Sequence, residues 1–227
     1  MKTSIAFLFL IIAVIALSAL FRSGEKPAVQ AVEGLPWQIE VLPDGGSRVF
    51  GLTLAHSTLD DARGRFDMDM EIAVIAAPGE PGSLEAYSSS VTTGVIMGKI
   101  ILVADVGRET VARLRQRAIK SVHMDSSTRK YILHHDDLAL AWRAPIASVT
   151  FIPAASLDEQ TVLRRFGAPA ERIRVDERVE HFLYPDKGLD LALDSKGKEV
   201  LQYVAPRQFA RLREPLIKVA PVTTQSP

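Results

Sequence analysis

The sequence predicts an α+β protein: an N-terminal transmembrane helix followed by two modules, each with a helix packed on an antiparallel sheet. Three observations predict this fold. The first is an uncharged apolar run from Thr3 to Phe21. The second is a pair of similar segments, 50–66 and 151–167, each of which leads from an aromatic residue through a Ser-containing turn to a helix carrying Arg-Phe at its end. The third is the alternation of apolar and polar residues after both helices, which is typical of half-buried strands.

The N-terminal segment, residues 1–22, is predicted to be a membrane anchor. At about 1.5 Å per residue, a helix of this length crosses the roughly 30 Å hydrocarbon layer of a bilayer. Lys2 is the only charged residue before the run, and Ala16-Leu17-Ser18 is the nearest approximation to an A-x-A cleavage site. An uncleaved anchor is therefore favoured over a cleaved signal peptide. Few basic residues flank the run, so charge leaves the orientation open; we expect an inner-membrane anchor with the body in the periplasm.

The composition excludes one class of partner and limits the cross-links. Lys and Arg together number 27, as do Asp and Glu, so the formal net charge is zero. Without a basic excess or a basic cluster, no nucleic-acid partner is expected. The chain has no cysteine, which excludes disulfides and lipidation on Cys and is compatible with either side of the membrane.

The first half begins with a polar linker at 23–34 and continues as an α+β module at 35–106. Ser57 or Thr58 is predicted to cap a helix that carries apolar residues at three- and four-residue spacing. The prolines of the loop at 78–82 prevent continued strand pairing there. The predicted strands lie on either side of that loop, at 72–76, 84–91 and 95–106, with a turn near Thr92-Thr93-Gly94.

Residues 107–146 are predicted to connect the two modules. Val111, Leu114 and Ala118 share one side of a helix from Arg108 to about Lys120, with arginines elsewhere. A strand at 131–133 and a helical turn at 137–142 follow, and a further strand at 147–152 begins the next module.

The second module, 147–206, has the clearest pattern. Asp158 is predicted to cap a helix that buries Val162 and Phe166, and Gly167 suits its C-terminal exit. Alternating residues then predict an antiparallel meander with one face toward water, its strands at 172–175, 179–184, 189–193 and 200–204. The last segment, 207–227, is predicted to form a short helix, interrupted by Pro215, and a disordered tail.

This second module resembles the BamE-like (SmpA/OmlA) small periplasmic modules. The residues that carry the resemblance are Leu163, Phe166-Gly167-Ala168-Pro169, Phe182, Tyr184 and the segment from Leu193 to Val200. It covers 148–206 well and 48–105 poorly, and the chain departs from it by lacking a lipidated cysteine and by being doubled. The resemblance implies helices on one face of an antiparallel sheet, and a role in envelope assembly or binding without catalysis.

The densest set of potential metal ligands consists of His134, His135, Asp136 and Asp137. Imidazole and carboxylate together suit a divalent transition metal. Adjacent residues point to opposite sides of a strand, or about 100° apart in a helix, so we expect at most one of the two histidines to join Asp137 or another residue in a site. The favoured interpretation is a strand exit followed by an N-capped helical turn with exposed histidines.

Other polar groups have simpler structural interpretations. The acidic residues Asp67, Asp69 and Glu71 alternate with methionines, as at the start of a strand with a hydrated side. No G-x-S-x-G turn surrounds Ser88-Ser89-Ser90, so these are read as polar strand residues. The glycines of Gly94–Gly98 lack the helix and Lys-Ser/Thr of a phosphate-binding loop. His181 is predicted to lie at the surface or rim of the sheet, and His56 in a turn or cap.

The favoured function is a membrane-anchored extracytoplasmic binding or scaffolding protein of a bacterial-type envelope. Its expected partners are membrane lipid, through residues 1–22, and another envelope protein, bound in a groove or at a sheet edge. No cofactor, metal or catalytic residue is expected. Two alternatives stay open: a metal-assisted hydrolase with ligands from His134, His135, Asp136 and His181, and a lipid or small-ligand carrier.

Overall fold

The computed structural model describes residues 32–66, 69–124 and 127–219. From Glu33 onward they belong to one compact unit. The α-helices of the described residues are α1 (Leu59–Phe66), α2 (Arg108–Gln116), α3 (His135–Trp142), α4 (Glu159–Phe166) and α5 (Ala210–Val219). The strands are β1 (Glu40–Val41), β2 (Ser47–Val49), β3 (Leu52–Thr53), β4 (Glu71–Ala76), β5 (Ser83–Thr93), β6 (Ile96–Ala104), β7 (Lys120–His123), β8 (Arg129–Ile132), β9 (Ile146–Pro153), β10 (Glu171–Arg174), β11 (Val179–Tyr184), β12 (Leu189–Asp194) and β13 (Val200–Val204).

Ten strands form one antiparallel sheet, so the predicted α+β class with antiparallel pairing is confirmed. The strand order is β10-β11-β12-β13-β9-β6-β5-β4-β8-β7, and β1, β2 and β3 form a separate small sheet. The strands of the two expected modules meet where β6 pairs with β9. The two halves of the chain therefore share a single sheet and a continuous hydrophobic core on one of its faces.

The face that carries this core, the first face, is covered by α1, α2, α3, α4 and the small sheet. Each helix contributes its apolar side to one cluster, which includes Leu59 and Ala62 of α1 and Val162 and Phe166 of α4. The strands contribute alternate residues, among them Val74, Leu84, Ile100, Leu102, Val149, Phe151, Phe182, Leu191, Leu201 and Tyr203. Burial of these side chains supplies the main favourable term in folding, at about 25 cal/mol for each Å² of apolar surface removed from water.

Both predicted helix caps in the two similar segments are present. In α1, the Asp61 N–H donates to Thr58 Oγ1 at 3.1 Å, and the Thr58 N–H donates to Asp61 Oδ2 at 2.7 Å. This reciprocal pair satisfies two backbone donors at the start of the helix. In α4, Asp158 accepts from the Thr161 N–H at 2.7 Å, and Gly167 ends the helix with a φ of 86°.

A hairpin tip that enters the core joins β2 to β3. Phe50 and Gly51 both have positive φ, 56° and 80°, as a two-residue turn of type I′ requires. The ring of Phe50 is buried, with its centroid 5.3 Å from those of Phe151 and Tyr203. The left-handed conformation is unfavourable for a phenylalanine, and burial among two aromatic rings offsets that cost.

The other face of the sheet is called the second face. Over β10–β13 it is covered by α5, so the prediction that one face of this meander lies toward water is wrong. Phe209 and the neighbouring Leu212 and Leu216 pack on Ile173, Leu183 and Val204. Pro215 lies inside α5 without ending it, so the predicted interruption is also wrong. Arg213 holds the helix to β10 through two hydrogen bonds to Glu171, at 2.6 and 3.0 Å.

The sequence patterns missed several short elements and misplaced some ends. Strand β7 follows α2 where the helix was expected to continue to Lys120, because α2 ends at Gln116. The strands β1, β2 and β3 have only two or three residues each, too few to display a period. The predicted anchor, most of the linker and the C-terminal tail lie outside the described residues. None of the helices within 32–66, 69–124 and 127–219 is both long enough and apolar enough to span a bilayer.

The buried hydroxyl of Tyr203 provides a test of the core. It donates a 3.0 Å hydrogen bond to the Pro36 carbonyl and so ties the N-terminal turn to the sheet. We expect Tyr203→Phe to lower the free energy of unfolding by about 1 kcal/mol, because the buried carbonyl loses its donor. Denaturant unfolding measures the change. Tyr131→Phe is the matched control, since the Tyr131 ring is partly exposed beneath Arg115; equal losses for both variants would contradict the assignment.

Candidate functional site

Over β4, β5, β6, β8 and β9 the second face is largely apolar, and none of the described residues forms an element that covers it. This half of the second face is called the groove. The cavity above it has a volume of about 500 Å³. Apolar side chains from all these strands but β8 line it, together with a methionine beyond β7: Ala73, Ile75, Tyr87, Ile101, Ile152 and Met124. A volume of this size is in the range of ligand-binding clefts in proteins.

Strand register shows that the groove continues the face on which α5 lies. Val204, which packs beneath α5, pairs with Ser148, and Ser148 pairs in turn with Val103. The row continues from Val103 to Glu85 and from Glu85 to Ala73. Because directly paired residues point to the same side of a sheet, one side-chain row runs from the covered half into the open half.

Glu85 lies in the middle of the groove. Its neighbours across the strands are Ala73 on β4 and Val103 on β6, and its side chain is partly buried. Burial raises the pKa of the Glu85 carboxyl above its ordinary value of 4.5. The Ser83 hydroxyl, which donates to Glu85 Oε1 at 2.5 Å, opposes that rise in pKa. The groove therefore combines an apolar surface with one central hydrogen-bonding group whose protonation is easier than that of a hydrated glutamate.

Charged residues mark the rim of the groove. Lys130 on β8 forms an ion pair with Glu71 on β4, and both residues line the cavity. Lys99 on β6 lines the same cavity and is exposed. An apolar floor with charges at its edge is the pattern of surfaces that bind amphipathic partners.

The structure brings His134, His135 and Asp136 together, contrary to the expectation that at most one histidine could join a site. One ligand atom from each residue lies within 4.8 Å of the others, and the two imidazole centroids are 4.2 Å apart. The reason is that His134 is extended and caps α3 while His135 is its first residue, so neither the strand nor the helix period relates them.

Local contacts already occupy this cluster. His134 Nδ1 accepts the Asp136 N–H at 3.3 Å, which confirms the predicted N-capped helical turn. His135 Nε2 lies 2.9 Å from Asp136 Oδ1. Asp137, the expected further ligand, instead accepts from Arg117 Nε at 2.9 Å, and this bond raises the pKa of the Arg117 guanidinium. The cluster does not line the groove.

His181 is not at the surface, so that prediction is wrong. Its side chain is 13% exposed, and Nδ1 lies 2.8 Å from Oδ1 of Asp190, which is 2% exposed. Both residues belong to the second face, where α5 covers the sheet. The sequence pattern placed His181 opposite Phe182 correctly but gave no sign of α5. Among the described residues, His181 does not join the group formed by His134, His135 and Asp136.

The remaining polar candidates have structural roles. Ser88 and Ser90 lie in a bulge of β5, where the Ser90 N–H donates to Ser88 Oγ at 3.3 Å. Gly94 occupies the turn between β5 and β6, with a φ of 63°. At Gly98, a Cβ atom would lie 2.5 Å from the Phe151 ring, so this glycine allows close packing. His56 is exposed, 3.7 Å from Asp44 Oδ2. Asp69 is exposed, and Asp67 lies outside the described residues.

The groove itself was missed, although the sequence holds one signal for it. A strand with one face in water alternates apolar and polar residues, whereas β6 contains the unbroken run Ile100-Ile101-Leu102-Val103. Such runs are typical of strands that are covered on both faces. In β6 the run places Ile100 and Leu102 in the core of the first face and Ile101 in the groove of the second face. The run therefore indicates an apolar surface on both faces of the sheet.

Comparison with family models, with curated proteins and with solved structures finds no match to this chain.

The protonation of Glu85 can be followed through the pH dependence of the free energy of unfolding. Since the pKa of Glu85 is raised in the folded state, its charged form opposes folding, and this loss of stability grows as the pH rises from the ordinary value of 4.5 through the folded-state pKa. We expect Glu85→Gln to be more stable than the wild type near pH 7, with the difference vanishing below pH 4.5. Urea unfolding from about pH 4 to about pH 8 measures this. Glu80→Gln, at an exposed loop position, is the control. A gain of stability confined to low pH would reject the assignment.

Proposed function

We propose that this chain is a membrane-tethered, non-catalytic binding protein whose groove receives an amphipathic helix of another envelope protein. The observation that carries the proposal is that one face of one sheet is half covered and half open. Over β10–β13 an amphipathic helix of the chain itself covers the face, whereas over β4, β5, β6, β8 and β9 the same face is largely apolar and no element of the described residues covers it.

The contacts of α5 indicate what kind of element fits such a face. Phe209, Leu212 and Leu216 recur at three- and four-residue spacing and cover Ile173, Leu183 and Val204. Arg213 adds an ion pair to Glu171 at the edge. A partner helix with the same pattern would place apolar residues on Ile75, Tyr87 and Ile101, and polar residues beside Lys99 and the Glu71–Lys130 pair.

Glu85 supplies specificity in this proposal. A partner residue that donates a hydrogen bond would satisfy the central carboxylate, whereas a purely apolar surface would bury it without a donor other than Ser83. Leaving a buried carboxylate underbonded is costly, so partners without a donor at this position are disfavoured.

The tether and the periplasmic location belong to the same proposal. Support comes from the uncharged run at 3–21 and from the polar linker at 23–34. The resemblance to BamE-like modules supports an envelope role, and the two halves each contain a capped helix followed by antiparallel strands. We propose that these halves are related modules that fused into a single sheet.

The other candidates fit the described geometry less well. A lipid carrier needs an enclosed apolar cavity, whereas the groove is open to solvent and has Glu85 and Lys99 among its lining residues. A metal-assisted hydrolase would use His134, His135 and Asp136, which lie together but at the surface, with Arg117 3.7 Å from the carboxylate of Asp136. Binding of a partner in the groove explains the apolar residues Ile75, Tyr87 and Ile101 there, which the metal-site hypothesis does not.

Site-specific photocrosslinking in the cells that express the protein tests the groove. We expect a benzophenone side chain in place of Tyr87 to crosslink one discrete protein through an amphipathic helical segment. The same group in place of Tyr131, which lies two strands away on β8 and faces the first face, is the control and should give no such product. Absence of a protein adduct at Tyr87, or adducts with lipid alone, would reject the proposal.

A synthetic peptide of the crosslinked segment then provides the quantitative measurement. Its affinity for the full chain should fall at least about tenfold, or about 1.4 kcal/mol, in Ile101→Asn, because the floor of the groove becomes polar. Leu140→Asn is the matched control, since Leu140 is an exposed leucine on α3. Equal affinities for both variants would place the binding surface elsewhere.

Membrane orientation is tested separately. A reporter that is active only outside the cytoplasm, fused after Pro227, is expected to be active, and a reporter that requires the cytoplasm to be inactive. The opposite pattern would reject the periplasmic location. Because the crosslinking result does not depend on the side of the membrane, the two parts of the proposal fail independently.

A further inference from the structure

A second cavity, separate from the groove, lies at the start of α4 on the first face. Its volume is about 430 Å³, and it lies between the segment 156–159 and the ends of β10, β11 and β12. Its lining includes five carboxylates, those of Asp158, Glu159, Glu180, Asp194 and Glu199, and two guanidinium groups, those of Arg174 and Arg178. The lining is therefore richer in negative than in positive charge.

Glu199 distinguishes this cavity from an ordinary acidic surface. The residue is only 6% exposed, and its Oε2 atom is buried with no hydrogen-bond partner among the described residues. Buried carboxylates in folded proteins are almost always paired with a donor or a cation. An unpaired one that lines a cavity indicates that the missing partner comes from outside the described part of the chain.

The sequence places Glu199 on this side of the sheet for a local reason. It lies two residues before Leu201 and four before Tyr203, both of which point into the core of the first face. Strand alternation therefore directs Glu199 to the same face, at the end of β13 that lies near the start of α4. There the apolar core ends and the cavity begins.

The positive groups in the cavity are already engaged. Arg174 donates to Glu180 at 3.1 Å, and Arg178 donates to both oxygens of Asp194 at 3.0 and 3.1 Å. Glu159 pairs at 2.8 Å with Arg172, which is not part of the cavity lining.

Hydrogen bonds favour the charged form of two of the other carboxylates. Hydrogen bonds from the Thr161 side chain and N–H hold the pKa of Asp158 below its ordinary value. The Lys196 N–H, followed by Arg178, does the same for the pKa of Asp194. Of the five lining carboxylates, only that of Glu199 has a buried oxygen without a hydrogen-bond partner among the described residues, so a single cation would complete the set.

The shape of the site favours an organic cation over a metal ion. A metal ion needs three or more ligand atoms close together. Within the described residues, only His134, His135 and Asp136 form such a group, so the carboxylates of this cavity are too far apart to hold one metal ion. Leu157 and Leu193 also line the cavity and offer apolar walls to a methylene chain. We propose that this cavity binds a primary alkylammonium group, with Glu199 as its counter-charge.

A primary alkylammonium group can come from a free diamine or from a lysine side chain of a peptide. Isothermal titration of the full chain in detergent distinguishes them, with 1,5-diaminopentane as one probe and Nα-acetyl-lysine methylamide as the other. We expect at least one probe to bind one-to-one with a dissociation constant below about 1 mM. Tighter binding of the diamine indicates a free amine, and tighter binding of the lysine derivative indicates a peptide.

Variants assign the binding to Glu199. Glu199→Gln should weaken the tighter probe at least about tenfold, because the amide has no charge to pair with the ammonium. Glu177→Gln, which removes an exposed carboxylate beside Arg178, should change the affinity less than about twofold. Equal binding by Glu199→Gln and the wild type would overturn the proposal, as would the absence of saturable binding by the wild type.

Thermal unfolding gives a readout that does not depend on calorimetric heats. The probe that binds should raise the unfolding temperature of the wild type, since a ligand of the native state stabilises it, and should leave that of Glu199→Gln unchanged. A wild type that is not stabilised by either amine at saturating concentration overturns the proposal even if the variant fails to fold.

Discussion

The pairing of β6 with β9 is the constraint on which the rest of the structure depends. It joins the strands of both halves into one sheet, and so fixes which side chains of all ten strands share a face. The junction is closely packed, because Gly98 on β6 leaves room for the Phe151 ring of β9. Once this register is set, the row from Val204 to Ala73 lies on one surface, and the helices α1 to α4 lie on the other.

Two surfaces of different character follow from that arrangement. The first face is closed, since the small sheet and four helices bury it and Phe50 fills its centre. The second face is asymmetric, because α5 covers one half and no element of the described residues covers the other, largely apolar half. An apolar half-face beside a covered one is the physical basis for proposing a helical partner.

Three acidic residues, each partly or fully removed from water, show three ways in which the fold treats a carboxylate. Asp190 pairs with His181 on the second face. Glu85 accepts from Ser83, and burial raises its pKa. Glu199 has an oxygen with no partner among the described residues. Because the cost of a buried charge depends on its pairing, the first is explained by structure alone, while the other two indicate where external groups would bind.

The sequence by itself determined the α+β class, the capped helices after Thr58 and Asp158, and most strands of the large sheet, because caps and periods are local properties. Only the tertiary structure decided that both halves share one sheet, that His181 pairs with the buried Asp190, that His134 and His135 lie side by side, and that Glu85 and Glu199 border cavities. These facts depend on pairing between residues far apart in the chain. A local period states which residues share a face, but not what covers that face.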